Sequence, residues 1–253
     1  LKDIKQEIKA GKPVLGVFIG IPSPQLVEIA ALNGFDFVII DEEHGTAGVS
    51  GATESMILAA YSSDIYPVVR PPMADQGSIL RPLDMGAKGI QVPQTSTKEQ
   101  VEAVVQFTKY PPIGKRGTAF STRMAKYGFN RGREALDKAN EETLVIVHIE
   151  NQEGLSRVDD ILSVPGLDVV FIGITDLSVS LGYPGETDHP VVARAIDDII
   201  EKGLEARVQV GILITDPDTA LKWVDKGITY LATGITGVIN KGCQWMVKGF
   251  KGK

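Results

Sequence analysis

Asp41-Glu42-Glu43-His44-Gly45 sets three carboxylates and an imidazole directly after the apolar run Phe37-Val38-Ile39-Ile40. An imidazole, with an ordinary pKa of about 6.5, can exchange a proton near neutral pH, so His44 is the candidate general base and Asp41 or another carboxylate its orienting partner. Three more reactive groups follow short apolar runs in the same way: Arg70 after Pro67-Val68-Val69, Glu150 after Val145 to Ile149, and Asp176 shortly after Val169 to Ile172. A guanidinium can hold a developing oxyanion. Two carboxylates can hold a hard divalent cation, leaving positions for water and a chelating substrate, which suits Mg²⁺ or Mn²⁺ better than structural zinc. Each residue also has a plainer reading. Asp176 could cap a helix beginning at Leu177-Ser178, and Arg70 could be a rim ion pair. His148 shares a strand face with Glu150, as period two requires, and reads either as a satisfied interior histidine or as a substrate contact. His189, before Pro190, reads as a surface residue at a helix entry. No lysine ends strand six or seven, and Lys88 precedes strand four, so cation-stabilised enolate chemistry is favoured over a Schiff base.

These groups can meet only if the runs that carry them are strands sharing one rim. Apolar, β-branched runs at 14–19, 37–40, 66–70, 89–92, 144–149, 169–172, 210–214 and 230–232 have the length and composition of buried strands. Helical patterns lie between them. Ser23 with Pro24 opens a helix through Leu26, Ile29 and Ala30, others cover 50–61 and the stripes Ile79, Leu80, Leu83 and Val101, Val104, Val105, and a long one carries Val192, Ile196, Ile199 and Ile200. Further helices start at Pro217 and Gly237. Ile4 and Ile8, four apart, predict a short helix plugging the bottom of a barrel. The alternation predicts an α/β fold, a TIM (β/α)8 barrel forming one domain over 1–253, with every strand tip on one rim. An open doubly wound sheet is the runner-up, but no GxGxxG follows strand one and no GxxxxGK[ST] occurs. Prolines, glycines and the basic residues Lys115, Arg116, Arg123, Lys126, Arg131 and Arg133 break the pattern at 110–140, an insertion expected to lie over a site or between subunits.

The 253 residues are 43% hydrophobic, enough for one large core. A net charge of −6 with both signs interspersed argues against nucleic-acid or anionic-membrane partners. Cys243 is the only cysteine, which excludes an intrachain disulfide and a cysteine-rich zinc site and fits a reducing compartment. No signal peptide or 18-residue apolar span is evident, so a cytoplasmic protein is expected.

With these residues assembled, the chain resembles the HpcH/HpaI aldolase family of metal-dependent pyruvate aldolases almost end to end. The resemblance rests on Asp41-Glu42-Glu43-His44-Gly45, Val69-Arg70-Pro71, Pro111-Pro112-Ile113-Gly114-Lys115-Arg116-Gly117, Ile149-Glu150-Asn151, and Phe171-Ile172-Gly173 with Asp176-Leu177-Ser178. It implies a TIM barrel, a trimer or hexamer of copies, and a last helix packed on a neighbouring subunit. It also implies a divalent cation, Mg²⁺ or Mn²⁺ foremost and Co²⁺ or Zn²⁺ after them, held by Glu150 and Asp176. Arg70 would stabilise an enolate and His44 would belong to the acid–base machinery, assisted by Asp41 or by Asp84 acting across a subunit boundary. Phe18, His148, Gly173, Ile174, Thr175 and Leu213 are the expected substrate contacts. The chain departs from the family at three of these places, with Phe18 for tryptophan, His148 for glutamine and Ile174-Thr175 for Pro-Ala; backbone amides after Gly173 remain able to receive a carboxylate. The implied reaction is reversible cleavage of a 4-hydroxy-2-oxo acid to pyruvate and an aldehyde. A citrate-lyase-like or malyl-CoA-lyase-like enzyme and a keto-acid-binding barrel without catalysis are the alternatives.

Overall fold

The computed structural model describes residues 1–252. Eight parallel strands close into a barrel in chain order: β1 (Val14–Ile19), β2 (Phe37–Asp41), β3 (Tyr66–Arg70), β4 (Gly89–Val92), β5 (Leu144–Ile149), β6 (Val169–Ile172), β7 (Gln209–Leu213) and β8 (Tyr230–Gly234). This is the TIM barrel that the alternation predicts. Its strands read as continuous apolar runs because both faces are buried, one against the helices and one against the barrel interior.

The register decides which side chains share the interior. Gly16 pairs with Phe37 and Ala232, Phe18 with Ile39 and Gly234, Asp41 with Arg70, and His148 with Phe171. Counting in twos from these pairs, the inward set runs from Val14, Phe37, Tyr66, Leu144 and Val169 at the lower rim to Phe18, Asp41, Arg70, His148 and Leu213 near the tips. Large and small residues alternate across it. A methyl group on Gly16 would lie 2.1 Å from the Phe37 ring, and one on Gly211 would lie 2.8 Å from both the Phe171 and Tyr230 rings, so glycine at these positions makes room for the aromatics.

The helix Ile4–Lys9 closes the lower end, with Ile4 and Ile8 fully buried among the lower interior residues, the predicted plug. The alternate strand residues, among them Val17, Ile19, Val38 and Ile40, pack outward into a larger core shared with the helices. Ser23 caps the helix Pro24–Leu32 as predicted. Several boundaries differ from expectation, by up to three residues. The second helix spans Thr53–Ser62, with a short helix Ala47–Ser50 before it; the last begins at Ile235 rather than Gly237; and β7 starts one residue earlier.

The insertion is not irregular throughout, since it contains the helix Gly132–Glu142. It leaves the helix Lys98–Thr108 and re-enters at Leu144, both at the lower end of the barrel, and it packs beside Tyr61, Gly86 and Lys88. It therefore does not cover this chain's strand tips.

Candidate active site

At the upper rim, Arg70 ends β3 in a clamp of two carboxylates. Its Nε and Nη2 donate to the two oxygens of Asp41 at 2.8 and 2.7 Å, while Nη1 meets Glu43 Oε2 at 2.9 Å. The Asp41 bonds are a bidentate fork, which fixes the guanidinium plane as well as its position. Phe18 from β1 lies against it, the guanidinium carbon 4.8 Å from the ring centroid. Asp41 Oδ1 also accepts the backbone N–H groups of Glu43 and His44, which folds the chain after β2 back over the strand tip.

This geometry corrects one expectation. Both oxygens of Asp41 serve Arg70, and Asp41 reaches His44 only through its backbone N–H, so it does not orient the imidazole. The side-chain neighbour of His44 is Glu43, at 3.8 Å, and the imidazole itself is exposed on the rim. Glu42 is structural: it accepts a 2.5 Å hydrogen bond from Thr53 Oγ1, tying the helix Thr53–Ser62 to the tip of β2.

Glu150, one residue beyond β5, is buried. Its Oε1 accepts the Gln94 backbone N–H at 2.6 Å, and its Oε2 faces His148 Nδ1 at 2.8 Å. Burial alone would raise its pKa; the His148 hydrogen bond, the Gln94 amide and the Arg70 guanidinium outweigh it and hold the carboxyl below its ordinary value. Gln94 adopts a left-handed φ of 56°, rare for a non-glycine residue, and this bend aims its N–H at Glu150 while its side chain donates to Glu43 at 3.2 Å. Gln94 thereby joins the guanidinium clamp to the buried carboxylate.

Below Glu150 a polar chain runs down the barrel. His148 Nε2 meets Gln91 Nε2 at 2.9 Å, and Gln91 Oε1 accepts the Tyr230 hydroxyl at 3.0 Å. His148 is 2% exposed with both ring nitrogens engaged, so it is an interior residue and not the expected substrate contact.

The other expected residues divide. Phe18, Gly173 and Leu213 lie at the upper ends of β1, β6 and β7, and Ile174, Thr175 and Asp176 form the first turn of the helix Ile174–Ser180. Asp176 is the third residue of that helix and not its cap, and its side chain is exposed. Gly173 provides no side-chain cap, which leaves the first amides of the helix open. Asp84 is elsewhere. It ends the helix Gln76–Asp84, which descends from the tip of β3 to the lower rim, and it pairs with Arg116 at 2.9 Å. Within one chain it takes no part in the site.

The donor set fits a hard divalent cation. An ionised, buried carboxylate has its inner edge saturated by two donors, and its Oε2 lies against Gly173, where a side chain would collide at 2.6 Å. Asp176 adds a second, solvent-accessible carboxylate. Among the described residues no cluster of three or more His, Cys, Asp or Glu groups forms, so water and substrate would fill the remaining positions, as is usual for Mg²⁺.

Sequence reasoning missed Gln91, Gln94 and Tyr230, and it named Glu43 without giving it a role. Gln91 carried a readable signal, because a glutamine inside the apolar strand Gly89–Val92 must find buried partners.

The HpcH/HpaI aldolase/citrate lyase family model matches residues 14–240. The chain is 38% identical over 251 residues to a hydroxypyruvate/pyruvate aldolase of Deinococcus radiodurans, covering 98% of this chain and 90% of that one. It is 37% identical over 232 residues to a 4-hydroxy-2-oxo-heptane-1,7-dioate aldolase of Shigella flexneri, covering 91% and 86%. A solved HpcH/HpaI aldolase/citrate lyase family protein from Burkholderia cenocepacia J2315 superposes with a TM-score of 0.93 at 28% identity, over 99% of this chain and 100% of that one. With the barrel, the clamped arginine and the buried carboxylate all in place, the chain belongs to the HpcH/HpaI aldolase/citrate lyase family.

Proposed function

We propose that this protein is a class II aldolase that reversibly cleaves a 4-hydroxy-2-oxo acid into pyruvate and an aldehyde. The observation that carries the reading is the juxtaposition of a clamped guanidinium and a buried, ionised carboxylate on one rim, bridged by Gln94. The names of the relatives, pyruvate aldolases among them, support the same reaction class.

A divalent cation held by Glu150 and Asp176, Mg²⁺ or Mn²⁺, supplies Lewis acidity toward the 2-oxo acid end of the substrate. The open amides at the start of the helix Ile174–Ser180 receive the substrate carboxylate, and Phe18 and Leu213 wall the pocket. His44 takes the proton from the 4-hydroxyl, the C3–C4 bond breaks, and the bonding pair passes into the pyruvate enolate. Arg70 stabilises the enolate oxygen; its planar donors are oriented beforehand by Asp41 and Glu43, so little reorganisation is needed as charge develops. Protonation at C3 then releases pyruvate. The reading takes the chain as one cytoplasmic barrel domain working in a trimer or hexamer, in which Asp84 reaches the rim of a neighbouring copy. Among the described residues no helix is long and apolar enough to cross a membrane.

A lactate-dehydrogenase-coupled assay on a panel of 4-hydroxy-2-oxo acids tests the reaction. Pyruvate release that EDTA abolishes and Mg²⁺ or Mn²⁺ restores is the expected result, and EDTA-insensitive cleavage would remove the cation step. Arg70→Ala and Arg70→Lys are both expected to lose about 10²-fold or more in kcat with the fold retained, because an ammonium cannot reproduce the fork. Normal turnover in Arg70→Lys would refute the assigned role.

A further inference from the structure

The polar chain inside the barrel has a direction. The Tyr230 phenol can only donate to Gln91 Oε1, and it does so at 3.0 Å from a position fixed by stacking on Phe37, with ring centroids 4.4 Å apart, and by an edge contact to Phe171. With Oε1 engaged, the other end of the carboxamide, Nε2, faces His148 Nε2 at 2.9 Å. An amide NH₂ has no lone pair to offer, so the imidazole must accept there, and its single proton sits on Nδ1. That proton points at Glu150 Oε2, 2.8 Å away. Phe171 stacks on the imidazole at 5.0 Å and keeps the ring plane in line. In water, neutral histidine carries its proton mainly on the other nitrogen, so the barrel imposes the less common tautomer.

We propose that Tyr230 and Gln91 are positioning residues for the cation site, acting through His148 to lock the Glu150 carboxylate by an Nδ1–H donor so that its remaining lone pairs face the rim. The inference rests on the reading of Glu150 as a cation ligand. None of the three relay residues touches the substrate in this scheme. Donors behind a metal-binding carboxylate commonly set cation affinity by about 10- to 100-fold.

The test uses the full chain labelled with ¹⁵N-histidine, together with Tyr230→Phe and Gln91→Met, which remove the relay's first and second donors while preserving volume. The protein has three histidines, so the ¹⁵N spectrum of the cation-free protein is resolvable. The expected signature is one imidazole with a protonated Nδ1 and an unprotonated Nε2, assigned to His148 by its loss in His148→Gln. In Tyr230→Phe and Gln91→Met that signature shifts toward the other tautomer, and the Mn²⁺ dissociation constant, read by electron paramagnetic resonance without substrate, rises about tenfold or more. A wild-type His148 protonated on Nε2 overturns the relay. So does a dissociation constant that is unchanged in both variants but lost in Glu150→Gln. Mn²⁺ binding unaffected by Glu150→Gln overturns the cation site itself, and the inference with it.

Discussion

An alanine at position 173 would put a methyl group 2.6 Å from Glu150 Cβ and Oε2. Cβ is not the far end of a flexible side chain, so the carboxylate must move off its two donors. Gly173→Ala is therefore expected to weaken Mn²⁺ binding by about tenfold and to cost about 1–3 kcal/mol of stability. Titration with Mn²⁺ and denaturant unfolding would measure both; wild-type affinity in a folded variant would show that Glu150 tolerates the shift. Of the residues legible in the sequence, Arg70 ends a strand, Glu150 directly follows one and Asp176 lies within the first turn after one, where order along the chain still predicts position on the rim. Gln94 was not legible, and Glu43 was visible without its role as an Arg70 partner. Both lie in turns beyond a strand, where backbone bends such as the left-handed Gln94 decide where a group points, and no period carries that information. Asp41 was found but misassigned, because sequence proximity to His44 suggested a partner that strand pairing with Arg70 supplies instead.

At the level of elements, the strands were readable nearly to the residue because burial on both faces leaves an uninterrupted apolar run. The helices of the insertion were not, since Gly132–Glu142 is strongly polar and owes its place to contacts at the lower rim. One such contact is unusual. Lys109, just after the helix Lys98–Thr108, buries its ammonium against the carbonyls of Asn140 and Thr143, and Lys5 from the plug helix shares the Thr143 carbonyl. Asp168 is the carboxylate at this spot, and it pairs with Lys5 at 2.9 Å and Lys9 at 3.7 Å. Burial, reinforced by Lys5, pushes the Lys109 pKa down to about 7. In the unfolded chain it titrates near about 10.4. Between these values the unfolded chain holds a proton that the folded one lacks, so this residue makes stability rise with pH from about 7 toward 10, and below 7 its contribution is flat. The unfolding free energy of wild type minus that of Lys109→Met should climb across that window by up to about 1.4 kcal/mol per pH unit. A difference independent of pH would mean that Lys109 stays charged in the folded protein.

At the scale of the whole molecule, the helix Ile235–Lys251 is left largely uncovered by the barrel. In Ile235–Lys251 only Ile235 is buried, while Val238, Ile239, Trp245, Met246, Val247 and Phe250 lie exposed, Trp245 at 74% and Phe250 at 89%. Their spacing puts them along one broad stripe. An apolar stripe of this kind is an interaction surface, and a second copy of this chain is the occupant that the proposed trimer or hexamer would seat there. The insertion has the same character: Tyr127 and Phe129 are exposed, and Tyr127 lines one pocket with Arg116, which holds Asp84. Trp245→Glu with Phe250→Glu should break the assembly into smaller species by light scattering while the circular dichroism of the barrel is retained. Activity then discriminates between two arrangements. If Asp84 completes the rim of a neighbour, the dissociated barrel loses turnover although His44, Arg70, Glu150 and Asp176 are all present in it, and Asp84→Asn alone reproduces the loss in the intact assembly. If the dissociated barrel keeps its turnover, the Asp84–Arg116 pair is a lower-rim tie within one chain, and the proton chemistry rests on His44 with Glu43 beside it.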